Sequence, residues 1–100
     1  MEIQTETGTP ICNPIENRVA LIGIVVENMD SAEKINELLH QYAGRIVGRM
    51  GVPYHKRGIS IISVVLDAPQ SEISALSGKL GMLPGVSSKT IYSKVSGGAQ

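Results

Sequence analysis

From residue 18 onward the apolar positions alternate between strand-like and helix-like spacing. "RVALIGIVVE" at 18–27 is β-branched, nearly continuous and of strand length. A helical period follows, with Ile35, Leu38, Leu39 and Tyr42 at i, i+3, i+4 and i+7. Asp30 stands three residues before Glu33, a capping-box spacing, and Gly44 offers a left-handed residue to end the helix. "RIVGRM" at 45–50 reads as a short strand, "GVPYHKRG" at 51–58 as a loop, and "ISIISVVLD" at 59–67 as a long strand. Pro69 suits the first turn of a second helix, whose apolar face is Ile73, Leu76, Leu80 and Leu83 and which Gly81 closes. "LPGV" then turns the chain into a last strand near 86–93.

The order is β-α-β-β-α-β, two halves of one plan. Short, right-handed connections leave one familiar solution: an α+β, ferredoxin-like sandwich with antiparallel strand order 4-1-3-2 and both helices on one face. The domain is predicted over 18–95. Residues 1–17, "MEIQTETGTPICNPIEN", follow neither period and read as a flexible N-terminal tail, and 96–100, "SGGAQ", as a frayed C-terminus.

The central strands break the usual rule that one sheet face is apolar and the other polar. In the first strand Val19, Leu21 and Val25 point one way, while Ala20, Ile22, Ile24 and Val26 point the other. In the third, Ile62, Val64 and Leu66 oppose Ile59, Ile61 and Val65. Two helices cover one face only, and the sequence does not say which set they cover. At ~25 cal/mol per Å² of apolar area, leaving the other face in water forfeits several kcal/mol. The expectation is a homodimer or homotetramer formed through that sheet face. The tail offers only Ile3, Ile11 and Ile15 as an alternative cover.

Composition narrows the function classes. Of the 100 residues 42% are hydrophobic, with no Phe or Trp and three Tyr, so the core is aliphatic. Net charge is zero, but Glu2, Glu6 and Glu16 sit in a tail without Lys or Arg. The remainder therefore holds nine basic and six acidic groups, a net of +3. That is too mild to point to nucleic acid by itself. Cys12 is the only cysteine, which leaves no internal disulfide and no multi-cysteine metal site in one chain. The polar, acidic first fifteen residues do not resemble a signal peptide, and "VALIGIVV" is too short to span a bilayer. A cytoplasmic protein without membrane association is expected.

Catalytic motifs are missing: there is no GxSxG, P-loop or HExxH, and no Cys–His pair in a plausible constellation. The expectation is a non-enzyme without cofactor or metal. "ISIISVVLD" lacks the aromatics on which an RNA-binding version of this fold stacks bases. A metal chaperone would carry Cys-x-x-Cys where this chain has "ENMDSAE", and the domain has only His40 and His55 to offer a metal.

The segment from Gly51 to Gly58 is long for a hairpin connection, where two to five residues are usual. It concentrates Tyr54, His55, Lys56 and Arg57, with Arg49 just before it. These five are the candidate ligand-binding residues: the cations attract an anionic ligand or partner, Tyr54 stacks, and His55 responds to pH. The plain alternative is a solvated hairpin tip. The functional expectation is an oligomeric regulatory module for a small effector or a protein partner. Its alternative is a DNA-associated transcriptional regulator acting through a partner or a basic oligomer surface.

"GRMGVPYHKRGISIISVVLDAP" and "ISALSGKLGMLPGVSSKTIYSK" resemble a small bacterial family, the iron-only hydrogenase system regulators. The resemblance runs from about Arg18 to Lys94. The family is similar to the effector domains of nickel-responsive regulators and to ACT domains, ferredoxin-like modules that oligomerise and bind small effectors. The resemblance therefore implies regulation, linked to expression or maturation of [FeFe]-hydrogenase. It transfers no site: the nickel regulators' His and Cys set has no counterpart in "MGVPYHKRGIS". Amino-acid-binding ACT domains carry a glycine where this chain reads "VENMDSAE".

Overall fold

Every second residue of the first strand is sealed from solvent, and that parity organises the molecule. In a computed structural model, which describes residues 16–94, β1 (Asn17–Val26) buries Ala20, Ile22, Ile24 and Val26 beneath two helices. The elements that follow are α1 (Ala32–Gln41), β2 (Ile46–Tyr54), β3 (Ile59–Pro69), α2 (Gln70–Gly81) and β4 (Val86–Tyr92). The strands form one antiparallel sheet in the order β2-β3-β1-β4, the predicted 4-1-3-2 arrangement of a ferredoxin-like α+β fold. The first strand begins at Asn17, paired with Pro69. Residues 1–15 of the predicted tail, Cys12 included, and the C-terminal residues 96–100 lie outside the described residues.

Both helices bury the predicted stripes. Ile35 and Leu39 of α1 meet Ile73, Leu76 and Leu80 of α2 over Val64, Leu66 and Ala68 of β3. Leu38, Tyr42 and Leu83 pack at the margin. A fully buried Leu or Ile contributes ~1.5–3 kcal/mol, so this aliphatic layer is the main source of stability. Around it run Arg45, whose Nε and Nη2 donate to the Glu72 carboxylate (2.9 and 3.0 Å), and Lys79, 5.4 Å above the Tyr42 ring. Arg18 lies 4.4 Å over Tyr92.

Two predicted helix signals act differently. The start of α1 is not capped by Asp30: the Asn28 side chain accepts from the Asp30 amide (2.9 Å), and a 3-10 turn, Met29–Ser31, leads into the helix. Tertiary contacts select this solution. Ser31, itself buried, donates its hydroxyl to the Pro84 carbonyl (2.7 Å), and the Glu27 amide donates to the Gly85 carbonyl (2.7 Å). Gly44 is not left-handed either, because the chain leaves α1 through a second 3-10 turn, Ala43–Arg45. Among the described residues positive φ occurs at Gly58 and Gly85, both at 67°.

The hairpin is shorter than its sequence implies. Strand β2 runs through Gly51 and Pro53 to Tyr54, and only His55–Gly58 connect it to β3. Pro53 is compatible with β2 as an edge strand, one side of which has no neighbour to receive an N–H.

Candidate functional site

Directly paired residues share a sheet face, so beyond the register shift between Ile46 and Gly48 the pairing assigns the β2 positions. In β2, Arg49, Gly51 and Pro53 pair with Val64, Ile62 and Ser60 on the helix side. Met50, Val52 and Tyr54 pair with Ser63, Ile61 and Ile59 on the outer side. Three distinct surfaces result.

The first is a trough between α1 and β2. Val26, Ile35 and Ile62 form its floor, Met29 and Ala32 one wall, and Gly51, Val52 and Pro53 the other, enclosing about 250 Å³. Arg49 and Asn36 stand at one end, where Arg49 Nη2 donates to Asn36 Oδ1 (3.2 Å). Beyond that bridge a second concavity continues along Leu39, His40, Ala43 and Ile46. Asn36 takes one Arg49 donor and no carboxylate pairs with this guanidinium among the described residues, so it can receive an anion.

The second is the hairpin tip. His55, Lys56 and Arg57 form an exposed 3-10 turn whose hydrogen bond runs from the Gly58 amide to the His55 carbonyl (3.2 Å). Their side chains have no hydrogen-bond or ion-pair partner among the described residues. The five predicted site residues therefore divide. Arg49 joins the trough, Tyr54 stands on the opposite face of the sheet, and the three basic residues lie beyond the end of β2.

The third is the outer sheet face, which no described element covers. Val52, Ile61 and Val25 form one apolar row across three strands, and Val65, Leu21 and Ile91 a second. Between them Met50, Ser63, Gly23 and Lys89 form a row with small residues at its centre, and a Cβ on Gly23 would meet nothing within 4 Å. Met50 is 64% exposed and Ile91 67%. Among the described residues no group of three His, Cys, Asp or Glu side chains could hold a metal ion, and no helix is long and apolar enough to cross a membrane.

Sequence reasoning placed none of Asn36, Gly51, Ser60 and Ile62 in a binding site. The available signal was two small residues, Gly51 and Ser60, diagonal to each other on the helix side of otherwise bulky strands.

These features define a small ferredoxin-like module with an open apolar sheet face and a partly filled helix layer. The chain belongs to the TM1266-like family, whose model is described as "Iron-only hydrogenase system regulator, putative" and matches residues 18–90. It is also similar to a solved structure, that of the uncharacterized protein TM1266 from Thermotoga maritima. The two are 39% identical with a TM-score of 0.76, covering 79% of this chain and 100% of that one. No curated protein matches the chain.

Proposed function

We propose that this protein is a non-catalytic regulatory module of an iron-only hydrogenase system. In this reading it works as a homo-oligomer assembled through its outer sheet face and responds to a small effector or a protein partner. The hydrogenase link comes from the family to which the chain belongs. The observation that carries the assembly is the uncovered pair of apolar rows, Val52–Ile61–Val25 and Val65–Leu21–Ile91. Isolated exposed aliphatics are ordinary, but contiguous rows flanking a hollow are what an interface presents. A second copy suits the face, since its ridges could settle into the Gly23–Ser63 hollow of the first.

Sedimentation velocity at micromolar concentration tests this. The wild-type chain should run as a dimer or larger, and Val25→Lys and Ile61→Lys should each shift it toward monomer. A monomeric wild type overturns the reading. Deleting the gene in its host should change hydrogenase transcript or activity levels. The unpaired cations of the tip favour a second reading, a DNA-associated regulator acting through a partner or the oligomer's basic surface. A gel shift with upstream DNA that weakens steeply with salt would select it.

A further inference from the structure

The trough between α1 and β2 exists because of particular residue choices. On the helix side of the hairpin, Gly51 has no side chain and its diagonal neighbour Ser60 has a small one, between the bulkier Ile62 and Pro53. A Cβ at Gly51 would sit 3.9 Å from Ile62 Cγ1, an ordinary contact, so the space beside it is unfilled rather than required by the backbone. The helix side is packed everywhere else along β1 and β3, with Ile22, Ile24, Val64 and Leu66 fully buried. Here a hollow of about 250 Å³ opens in that layer, with an aliphatic floor.

We infer that this trough binds a small monocarboxylate with a short hydrocarbon body, its carboxylate at Arg49 and Asn36 and its body over Ile35 and Ile62. The site rests on reading the chain as an effector-responsive module, but not on assembly through the sheet face. Charge sets the head group. Among the described residues Arg49 is the only charged one lining the cavity, and it keeps donors that Asn36 does not take. The Asn36 amide, whose oxygen accepts from Arg49, has its own N–H groups to give a second oxygen of the anion. No Asp or Glu among the described residues lines the cavity, so an ammonium group would find no counter-charge from them there. That disfavours amines and zwitterionic amino acids, and a lone cation matches one negative charge. The volume and floor set the rest: the cavity falls below the ~300–1,000 Å³ typical of drug-sized ligands, and its base is aliphatic.

The test is an amide-detected NMR titration of the full ¹⁵N-labelled chain with hexanoate. Parallel titrations use hexanol, leucine and inorganic phosphate. Hexanoate should shift the amides of Asn36, Gly51, Val52, Ser60 and Ile62, and each of the other three compounds should bind at least about tenfold more weakly, because each lacks the charge, the neutral body or the hydrocarbon. Arg49→Gln, on an exposed side chain, should weaken hexanoate at least about tenfold, as expected for a lost charged hydrogen bond. Gly51→Val should fill the hollow and abolish the shifts while the remaining spectrum stays folded. No shift at these amides in the wild type, or unchanged affinity in Arg49→Gln, overturns the site. Leucine or phosphate binding as tightly as hexanoate overturns the ligand class. Sedimentation of the same samples separates this inference from the assembly reading. A monomer that binds hexanoate in the trough overturns only the assembly, and an oligomer unresponsive to hexanoate overturns only the site.

Discussion

On the helix side of the sheet Ile22 and Ile24 are wholly buried, while their neighbours Leu21 and Val25 reach the outer face, where α1 and α2 do not lie. The two sides are made of the same aliphatic residues, so hydrophobicity does not distinguish core from surface here. What distinguishes them is where the helices fall. Ile35, Leu39, Ile73, Leu76 and Leu80 supply a second layer to one side, and nothing among the described residues supplies one to the other. An apolar side without a layer is the feature that an oligomer would complete.

The sharpest way to break this contrast is to place one charge on adjacent residues. Ile24→Lys buries an unpaired ammonium beneath the helices and should cost about 3–5 kcal/mol or prevent folding. Val25→Lys faces outward, where the long side chain can carry its charge to water. Its folded monomer should lose no more than ~1 kcal/mol. Urea denaturation of both variants checks this, and equal destabilisation would mean that the outer side is as closed as the inner.

A second contrast lies between two left-handed glycines. At Gly85 an added Cβ would stand 2.5 Å from Asn28 Cβ and 2.8 Å from Asn28 N, in the turn that anchors the start of α1. At Gly58, with the same φ of 67°, it would meet nothing within 4 Å. Gly85→Ala should therefore cost more than ~2 kcal/mol, strain and clash together, and Gly58→Ala only ~1 kcal/mol of strain. Thermal unfolding of the pair measures the difference. Equal losses would show that the Asn28–Gly85 contact relaxes freely and that the helix side is less tightly set than its burial implies.

Periodicity made most of the fold legible, because a half-buried helix and a strand leave different spacings. Ile35, Leu39, Ile73, Leu76 and Leu80 were identified from spacing alone. Which side of the sheet they cover was not, since Ile24 and Val25 are equally apolar and only the third dimension separates them. The cap of α1 was misplaced for a related reason. Asn28 and Asp30 are both good capping residues, and the choice was made by hydrogen bonds to Pro84 and Gly85, more than fifty residues away. Pro53 and the glycines made the end of β2 look like loop, a reading that ignored what an edge strand tolerates. That error grouped Arg49 with Tyr54. Once the strand extends to residue 54, their odd and even positions put them on opposite faces.

Gly23 gives a smaller but two-sided measurement on the outer face. Glycine inside a strand costs roughly 0.5–1 kcal/mol relative to alanine, and a Cβ here meets only open space within the chain. Gly23→Ala should stabilise a monomeric form by up to that amount. In an assembled form the new methyl would intrude on whatever fills the hollow, so Gly23→Val should raise the dissociation constant. Stabilisation with unchanged sedimentation would mean that no second copy packs over Gly23.

The least expected effect on stability belongs to the hairpin tip, where both faces of the sheet run out. Lys56 and Arg57 are exposed, pair with no acid among the described residues and lie in a four-residue connection that Gly58 closes. Replacing both by Ala should change stability by no more than ~0.5 kcal/mol, the usual range for surface positions. A larger loss would mean that the tip touches something beyond residues 16–94, such as a second copy. The same variant separates the tip from the trough, because the tip cations lie past the end of the strand that carries Arg49. If hexanoate affinity is unchanged in the double variant but lost in Arg49→Gln, the two regions are independent. If both variants weaken it equally, the ligand is being drawn by general positive charge. The effect should then fade as salt rises past ~0.1 M, where charges more than about 10 Å apart are largely screened.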